Sequence, residues 1–222
     1  QLHGDVYKRQ KLNRAKGYDI FGSTIIKILN KYKDWKAIVI GDEEREKLIF
    51  NHTRLDIKGF KKHNEVIKIL KKTNIAVVCS RWEEPFGRTS LEASANGCAV
   101  IITKKGGLPE TVTNAKILDN LNAKTLENSI ENLIINQKLK KNMQNLSITN
   151  FYLTHNYITS LIDKYRDEKL TSKKSFYTKK NIESLRILHI TNFNERLDGR
   201  LFFNTGRRIN NGFIRLGHSV LG

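Results

Sequence analysis

Two glutamates, Glu84 and Glu92, are separated by the seven residues PFGRTSL, which contain a Pro-Phe-Gly turn and the start of a helix. A carboxylate accepts hydrogen bonds, and a pair of vicinal sugar hydroxyls can donate them. The free N–H groups after Gly87, at the helix start, form an anion site suited to phosphate. Those N–H groups belong to Arg88, Thr89 and Ser90. The combination predicts a nucleotide-sugar site, with the diphosphate on the amides, the ribose on one acid and the transferred hexose on the other.

The elements that must position these acids alternate between apolar runs and helical stripes. Three runs read as buried strands: AIVIG (37–41), IAVVCS (75–80) and CAVIIT (98–103). Helical patterns occupy 18–32, 65–72 and 89–96, and a shorter helix is expected at 45–50. The pattern predicts an α/β fold, a Rossmann-like parallel sheet with helices on both faces. The loop from Ser80 to Gly87 then leaves the carboxyl end of a strand, where such sheets bind ligands.

Composition and charge limit the classes of function that the sequence supports. The chain has 222 residues, 39% of them hydrophobic, and a formal net charge of +18. No apolar run of about 18 residues and no signal pattern occur, which predicts a cytoplasmic protein, with peripheral contact at the inner face of a membrane left open. The lysines are scattered without interleaved aromatics, so solvated helix faces explain the charge better than an anionic ligand or membrane, and nucleic acid is the least favoured partner. No metal-ligand spacing occurs, and Cys79 and Cys98 read as buried free thiols.

The chain divides into four stretches in this interpretation. Residues 1–10, QLHGDVYKRQ, lack the apolar run expected of a first strand and look like a non-native junction. Residues 11–169 form the α/β domain, and 170–184 are a polar linker. Residues 185–222 restart with RILHITNF, a helical stretch and HSVLG, the short β-α-β start of a second α/β domain. The alternative is that this last segment adds a strand to the first sheet.

At these residues the sequence resembles the retaining GT-B glycosyltransferases of family 4, the glycosyl transferases group 1. The resemblance covers roughly residues 11–169. It is carried by the Glu-x7-Glu pattern, GDE at Gly41, SRWEEPFG, and GGLPETV from Gly106 to Val112. It implies a C-terminal, donor-binding GT-B domain, followed in this chain by the truncated start of a second GT-B N-terminal domain. The implied reaction transfers a sugar from a nucleotide diphosphate to a sugar, lipid-linked or other hydroxyl acceptor with retention, and requires neither a metal nor a cofactor.

The resemblance also assigns roles to individual residues. Lys11, at a position where the family has Arg, and Lys16 would clasp the diphosphate, and Gln10 replaces the family's glycine. Glu84 would be the catalytic acid beside the transferred sugar, and Glu92 would bind the ribose. The donor loop would comprise Phe86, Gly87, Arg88 and Thr89, and the base would lie near Phe60 and Lys61.

Two other classes of function stay open at this stage. One is a nucleotide-sugar binding module, or an epimerase or phosphorylase, on the same fold; the other is a basic nucleic-acid-binding protein. In a GT-B enzyme the acceptor and any general base come from the N-terminal domain, so the isolated chain is expected to show no transferase turnover. The sugar, the base, the acceptor and the oligomeric state are not readable from the sequence.

Overall fold

Six parallel strands form the main sheet in a computed structural model that describes residues 4–172, 184–190 and 205–221. The sheet has the order β3-β2-β1-β4-β5-β6, and every neighbouring pair is parallel. The strands are β1 (Gly4–Arg9), β2 (Trp35–Ile40), β3 (Leu55–Ile57), β4 (Ile75–Val78), β5 (Ala99–Thr103) and β6 (Ala115–Leu118). The predicted fold class, a Rossmann-like α/β sheet, is confirmed.

Helices cover both faces of this sheet because the side chains of each strand alternate between the faces. On β1, for example, Val6 packs with α1 (Tyr18–Lys31) and α4 (Ala123–Ile135). The next residue, Tyr7, packs on the other side with α2 (His63–Leu70) and α3 (Arg88–Ala95). The central strands β4 and β5 are buried along their whole length, which explains why their sequences are uninterrupted apolar runs.

The first strand corrects the prediction for residues 1–10. We expected no strand there, and that was wrong: residues 4–9 pair with β2 on one side and β4 on the other. The misleading residue is Lys8, which is polar by type but fully buried. Its ammonium donates to the carbonyl of Lys16 at 2.9 Å and approaches Cys79 Sγ at 3.5 Å and the Phe21 ring at 5.7 Å. A lysine whose amine finds such partners can occupy a strand core that a hydropathy pattern assigns to apolar residues.

The short helix expected at residues 45–50 is not formed, since this described stretch contains bends followed by irregular backbone. Tertiary packing decides its conformation. The Phe50 ring lies over Gly22 of α1, in the space that a Cβ at that glycine would occupy. The same ring meets Tyr18 edge-on, with 5.4 Å between ring centroids.

The chain divides into two units, Gln1–Leu161 and Ile162–Gly222. Besides the sheet and its four helices, the first unit contains a short 3-10 helix (Leu108–Thr111) and α5 (Gln137–Thr149); α6 spans His155–Ser172. None of the helices in the described ranges is long and apolar enough to cross a bilayer. Most of the linker predicted at 170–184 lies outside the described residues, although its first three residues end α6.

The second unit contains one parallel β-α-β arrangement, as the sequence predicts for residues 185–222. Strand β7 (Arg186–Leu188) pairs with β8 (Ser219–Leu221), and α7 (Thr205–Arg215) lies between them in sequence. The pairing of β7 with β8 in their own two-stranded sheet argues against the alternative in which this segment extends the main sheet. Residues 191–204 lie outside the described residues, and the origin of this unit as the start of a second glycosyltransferase stays a prediction.

Candidate functional site

The candidate site lies where the strand order reverses, at the carboxyl ends of β1 and β4. Since β1 is flanked by β2 and β4, the loops that follow β1 and β4 diverge around a crevice, the usual ligand position of such sheets. Backbone hydrogen bonds join the two loops: the N–H groups of Arg81 and Trp82 donate to the carbonyl of Ala15 at 2.9 and 3.1 Å. The Arg81 guanidinium adds a two-pronged contact with Asp19, at 2.6 and 2.9 Å. The loops therefore present their side chains from one connected frame.

Glu84 is held at the centre of this frame and is only 8% exposed. Its Oε1 accepts hydrogen bonds from Lys16 Nζ at 2.7 Å and from Gln10 Nε2 at 3.0 Å. Its backbone carbonyl accepts from the N–H of Gly107 at 2.7 Å. Gly106 allows this approach, since its φ is +52° and a Cβ there would lie 2.3 Å from the Glu84 carbonyl oxygen. The GGLPE segment thus fixes the backbone that carries the acid.

Glu92 lies one helical turn inside α3 and is surrounded by basic side chains. Its Oε2 accepts from the Arg9 guanidinium at 2.5 Å. Its Oε1 lies 3.6 Å from both His63 Nδ1 and a guanidinium nitrogen of Arg88. Three cationic side chains, Lys16, Arg9 and Arg88, face the two carboxylates and leave this cluster net basic, which favours an anionic ligand.

The N-terminus of α3 offers uncapped N–H groups beside these acids. Gly87 is the N-cap, with φ +83° and no side chain to cap the helix. A Cβ at Gly87 would lie 2.6 Å from Leu108 Cδ2 and 2.9 Å from Ser90 Oγ, so a larger residue does not fit. The Ser90 hydroxyl is already engaged, with the Gly87 carbonyl at 2.7 Å and Thr111 Oγ1 at 2.6 Å. The helix start can therefore accept an anion from outside.

The structure brings some of the predicted site residues together and leaves others apart. Lys16 meets Glu84, and Arg88 lies beside Glu92. The remaining predicted residues contact neither acid in the described hydrogen bonds and ion pairs. Of these, Lys11 and Phe86 are exposed, Thr89 is half-buried, Phe60 is 74% exposed, and Lys61 pairs with Glu65 at 3.7 Å.

Sequence reasoning missed the residues that hold the two acids. Arg9 and Gln10 are consecutive at the end of β1, and they bind Glu92 and Glu84 respectively. His63, which lacked any partner pattern in the sequence, is the third neighbour of Glu92. One signal was available: the loop KLNRAKG, for which the resemblance implies contact with a diphosphate, is expected to follow a strand, so the residues just before it had to end that strand.

Two pKa shifts describe the surroundings of the site. Burial raises the pKa of Tyr7 well above its usual range, so this hydroxyl beneath Arg9 and Glu92 stays protonated. Burial also acts to raise the pKa of Asp19, but the hydrogen bonds and charge of Arg81 outweigh it, and the pKa is lowered. The contact that joins the β4 loop to α1 is therefore an ionised pair at neutral pH.

Comparisons with known proteins identify relatives of this chain by sequence. An uncharacterized glycosyltransferase of Methanocaldococcus jannaschii is 32% identical over 137 residues, covering 58% of this chain and 37% of that protein. The lipopolysaccharide core biosynthesis mannosyltransferase LpsB of Rhizobium meliloti is 31% identical over 113 residues, covering 46% of this chain and 32% of that protein. The chain spans between 19% and 37% of the length of these and the other curated relatives that it matches.

Solved structures share the fold. The C-terminal domain of a glycosyl transferase group 1 family protein from Francisella tularensis is 26% identical, with a TM-score of 0.59, covering 66% of this chain and 83% of that one. An Anabaena protein in complex with UDP, 20% identical, shares the fold with a TM-score of 0.58 over 78% of this chain and 50% of its own. The family model for glycosyl transferases group 1 matches residues 6–148. With well over half of its length matched, the chain belongs to the glycosyl transferases group 1 family.

Proposed function

We propose that this chain carries the donor-binding domain of a retaining glycosyltransferase of family 4, and that it binds a nucleoside diphosphate sugar. One observation carries the proposal. Arg9, the last residue of β1, and Gln10, which follows it, hold Glu92 and Glu84 over the same strand end, beside Lys16 and the uncapped start of α3. Two acids for hydroxyl groups and a cationic, amide-rich corner for phosphates lie in one crevice.

The roles follow from how charge moves when a glycosidic bond to a diphosphate breaks. Negative charge grows on the diphosphate, and Lys16, Lys11 and the N–H groups of Arg88 and Thr89 would stabilise it. Positive charge grows at the anomeric carbon, where the Glu84 carboxylate would offset it and orient the sugar hydroxyls. Glu92 would accept hydrogen bonds from the ribose diol. Since cationic side chains and amides meet the leaving group in this scheme, no metal or other cofactor is part of the proposal.

The two ion pairs of the site, Lys16–Glu84 and Arg9–Glu92, would have to open when a donor binds. Lys16 lies on Glu84 and Arg9 lies on Glu92, so each acid already has a cationic partner. A diphosphate would draw Lys16 away from Glu84, and a ribose would compete with Arg9 for Glu92. The site would thus exchange internal ion pairs for contacts with the ligand, with hydrogen bonds from hydroxyl groups taking the place of the cation on each carboxylate.

Phe60 and Lys61, on the loop after β3, would lie against the base, and Phe86 and Gly87 would flank the diphosphate. The transfer itself is proposed for a protein in which this domain is joined to one that binds the hydroxyl acceptor, sugar, lipid-linked or other. A cytoplasmic location, with peripheral contact at a membrane, belongs to the same proposal. Support for the donor class comes from the Anabaena relative of the same fold, whose structure contains UDP.

Isothermal titration of the 222-residue chain with UDP, GDP and ADP tests the proposal, with a short oligonucleotide as the competing ligand at two salt concentrations. We expect one nucleoside diphosphate to bind more tightly than the oligonucleotide. Glu92→Ala should weaken that binding about tenfold or more, since it removes hydrogen bonds to a charged group. Glu84→Ala should leave the plain nucleotide unaffected and lose the contribution of the sugar.

Two results would contradict the proposal. Equal loss of plain-nucleotide affinity in Glu84→Ala and Glu92→Ala would remove the division of roles between the acids. Oligonucleotide binding that is tighter than any nucleotide binding, with a steep salt dependence, would identify a nucleic-acid-binding protein instead.

A further inference from the structure

Gln10 has one half of its amide engaged and the other half unsatisfied. Its Nε2 donates to Glu84 Oε1 at 3.0 Å. Its Oε1 is buried, and no donor within the described ranges of the chain reaches it. In the reverse amide orientation two acceptors, Oε1 and the carboxylate oxygen, would face each other. The contact with Glu84 therefore identifies the atom that faces it as Nε2. Buried acceptors are nearly always satisfied, and an exception next to a candidate site points to a ligand.

The backbone of Gln10 cannot move to relieve this atom. The residue follows β1 directly, and its N–H donates to the carbonyl of Ile40 at 3.3 Å. Gly41 packs so closely that a Cβ there would lie 2.0 Å from the Gln10 carbonyl oxygen. These contacts hold the backbone of Gln10 in place, and its side chain reaches Glu84 from there.

Glu84 is left with one oxygen for a ligand. Both described donors, Lys16 Nζ and Gln10 Nε2, bind Oε1. No hydrogen bond from the described part of the chain reaches Oε2. The second carboxylate oxygen of Glu84 and the unsatisfied amide oxygen of Gln10 belong to two side chains that a hydrogen bond joins, and both are acceptors suited to hydroxyl donors.

We propose that Gln10 contacts the transferred sugar: its Oε1 accepts a hydrogen bond from one hydroxyl of the hexosyl group while its Nε2 keeps Glu84 oriented toward another. This inference rests on the proposed function and adds a specificity residue to it. The resemblance places a glycine at this position, so the contact is a property of this sequence and not of the shared motif. The opening of the Lys16–Glu84 pair on donor binding would give the hydroxyl access to the amide.

The test measures how much the sugar adds to binding. For the tightest-binding nucleoside diphosphate among UDP, GDP and ADP, titration gives its dissociation constant and that of its glucose or mannose conjugate. The ratio of the two is the sugar contribution. Gln10→Met keeps similar length without polar atoms, and Gln10→Gly restores the family's residue. Gln137→Met is the matched control, since Gln137 is an exposed glutamine of α5 whose amide donates to the carbonyl of Ile134.

We expect the ratio to fall about tenfold in both Gln10 variants, the size of effect for one hydrogen bond next to a charged group. The affinity for the plain nucleotide and the urea midpoint of unfolding should stay at wild-type values, and Gln137→Met should change nothing. An unchanged ratio in Gln10→Met overturns the inference while the proposed function stands. Equal loss of plain-nucleotide affinity also overturns it, by making Gln10 a structural residue. If no nucleoside diphosphate binds the wild-type chain, the proposed function fails and the inference falls with it.

Discussion

Two short regions form the candidate site, and only one of them has a sequence from which a site can be predicted. The loop and helix of residues 80–97 carry Glu84 and Glu92, a Pro-Phe-Gly turn and a terminal glycine at recognisable spacings. Residues 4–10 look polar and unremarkable, yet they form the central strand and end in the two side chains that hold those acids. The contacts join residues 83 and 74 positions apart. Residues that could bind a ligand can be recognised from motifs in the sequence. The residues that orient them are identified only by the folded structure, because they are distant in sequence.

The largest expected effect tests whether residues 4–9 are the centre of the sheet. Val6 is fully buried between β2 and β4. Val6→Asp would bury an unpaired carboxylate, and we expect a loss above about 4 kcal/mol, much of the stability of an ordinary domain. Soluble yield and urea unfolding followed by circular dichroism measure it.

The matched control places the same change on the edge strand β6. Ile117 is 40% exposed there, and Ile117→Asp should cost less than about 1 kcal/mol. A Val6→Asp protein that unfolds at the wild-type urea concentration would mean that the first strand is dispensable.

An intermediate effect separates the anchor that β1 supplies from the one within α3 itself. Arg9 is 26% exposed and bonds Glu92 at 2.5 Å, whereas Arg88 is 76% exposed and 3.6 Å away. Arg9→Met leaves a nearly buried carboxylate without its main partner and should cost about 1–3 kcal/mol. Arg88→Met should cost less than about 0.5 kcal/mol. Urea unfolding curves decide, and equal costs would remove the distinction between the two regions.

The smallest effect concerns the contact that joins the β4 loop to α1. The pKa of Asp19 is lowered by Arg81, against the effect of burial. A carboxyl whose folded pKa is depressed adds stability above its unfolded pKa, about 3.9, and that stability is lost as pH falls through the folded pKa. The difference in unfolding free energy between wild type and Asp19→Asn should therefore be level from about pH 5 to 7 and shrink below about pH 4.

Partial exposure of the pair limits this difference to less than about 1 kcal/mol, and 1 M salt should reduce it further. Urea unfolding at several pH values measures it. A difference that stays constant down to pH 2 would show that the Asp19–Arg81 contact is not an ion pair.

Sequence patterns predicted the parts of the fold that hydrophobic burial determines. IAVV and AVIIT are buried on both faces, so their composition alone indicates central strands. Strand β1 has an equally central place but contains Lys8 and Arg9, whose amine and guanidinium find partners on other segments. A hydropathy pattern assigns such residues to the surface, because it does not include the carbonyl and the carboxylate that accept their hydrogen bonds.

The candidate site follows the same division. The acids and Gly87 were predicted from motif spacing, whereas Lys16 came from the resemblance, and the structure places Lys16 against Glu84. The pairing of Glu92 with Arg9 and His63 was not predictable, since it depends on α2, α3 and β1 meeting in space. Lys11, Phe60 and Lys61 came from the resemblance alone, and their roles stay predictions for a ligand-bound state.

The rate of acylation of the buried Lys8 amine can report how often the centre of the sheet opens. Reagents that acylate amines modify the many exposed lysines of this basic chain quickly, but the Lys8 amine is shut in by the Lys16 carbonyl, the Cys79 sulfur and the Phe21 ring. Its acylation must wait for the middle of the sheet to open. The rate at which the peptide containing Lys8 gains mass under constant reagent therefore measures how often this part of the sheet opens, while the exposed lysines record only the surface.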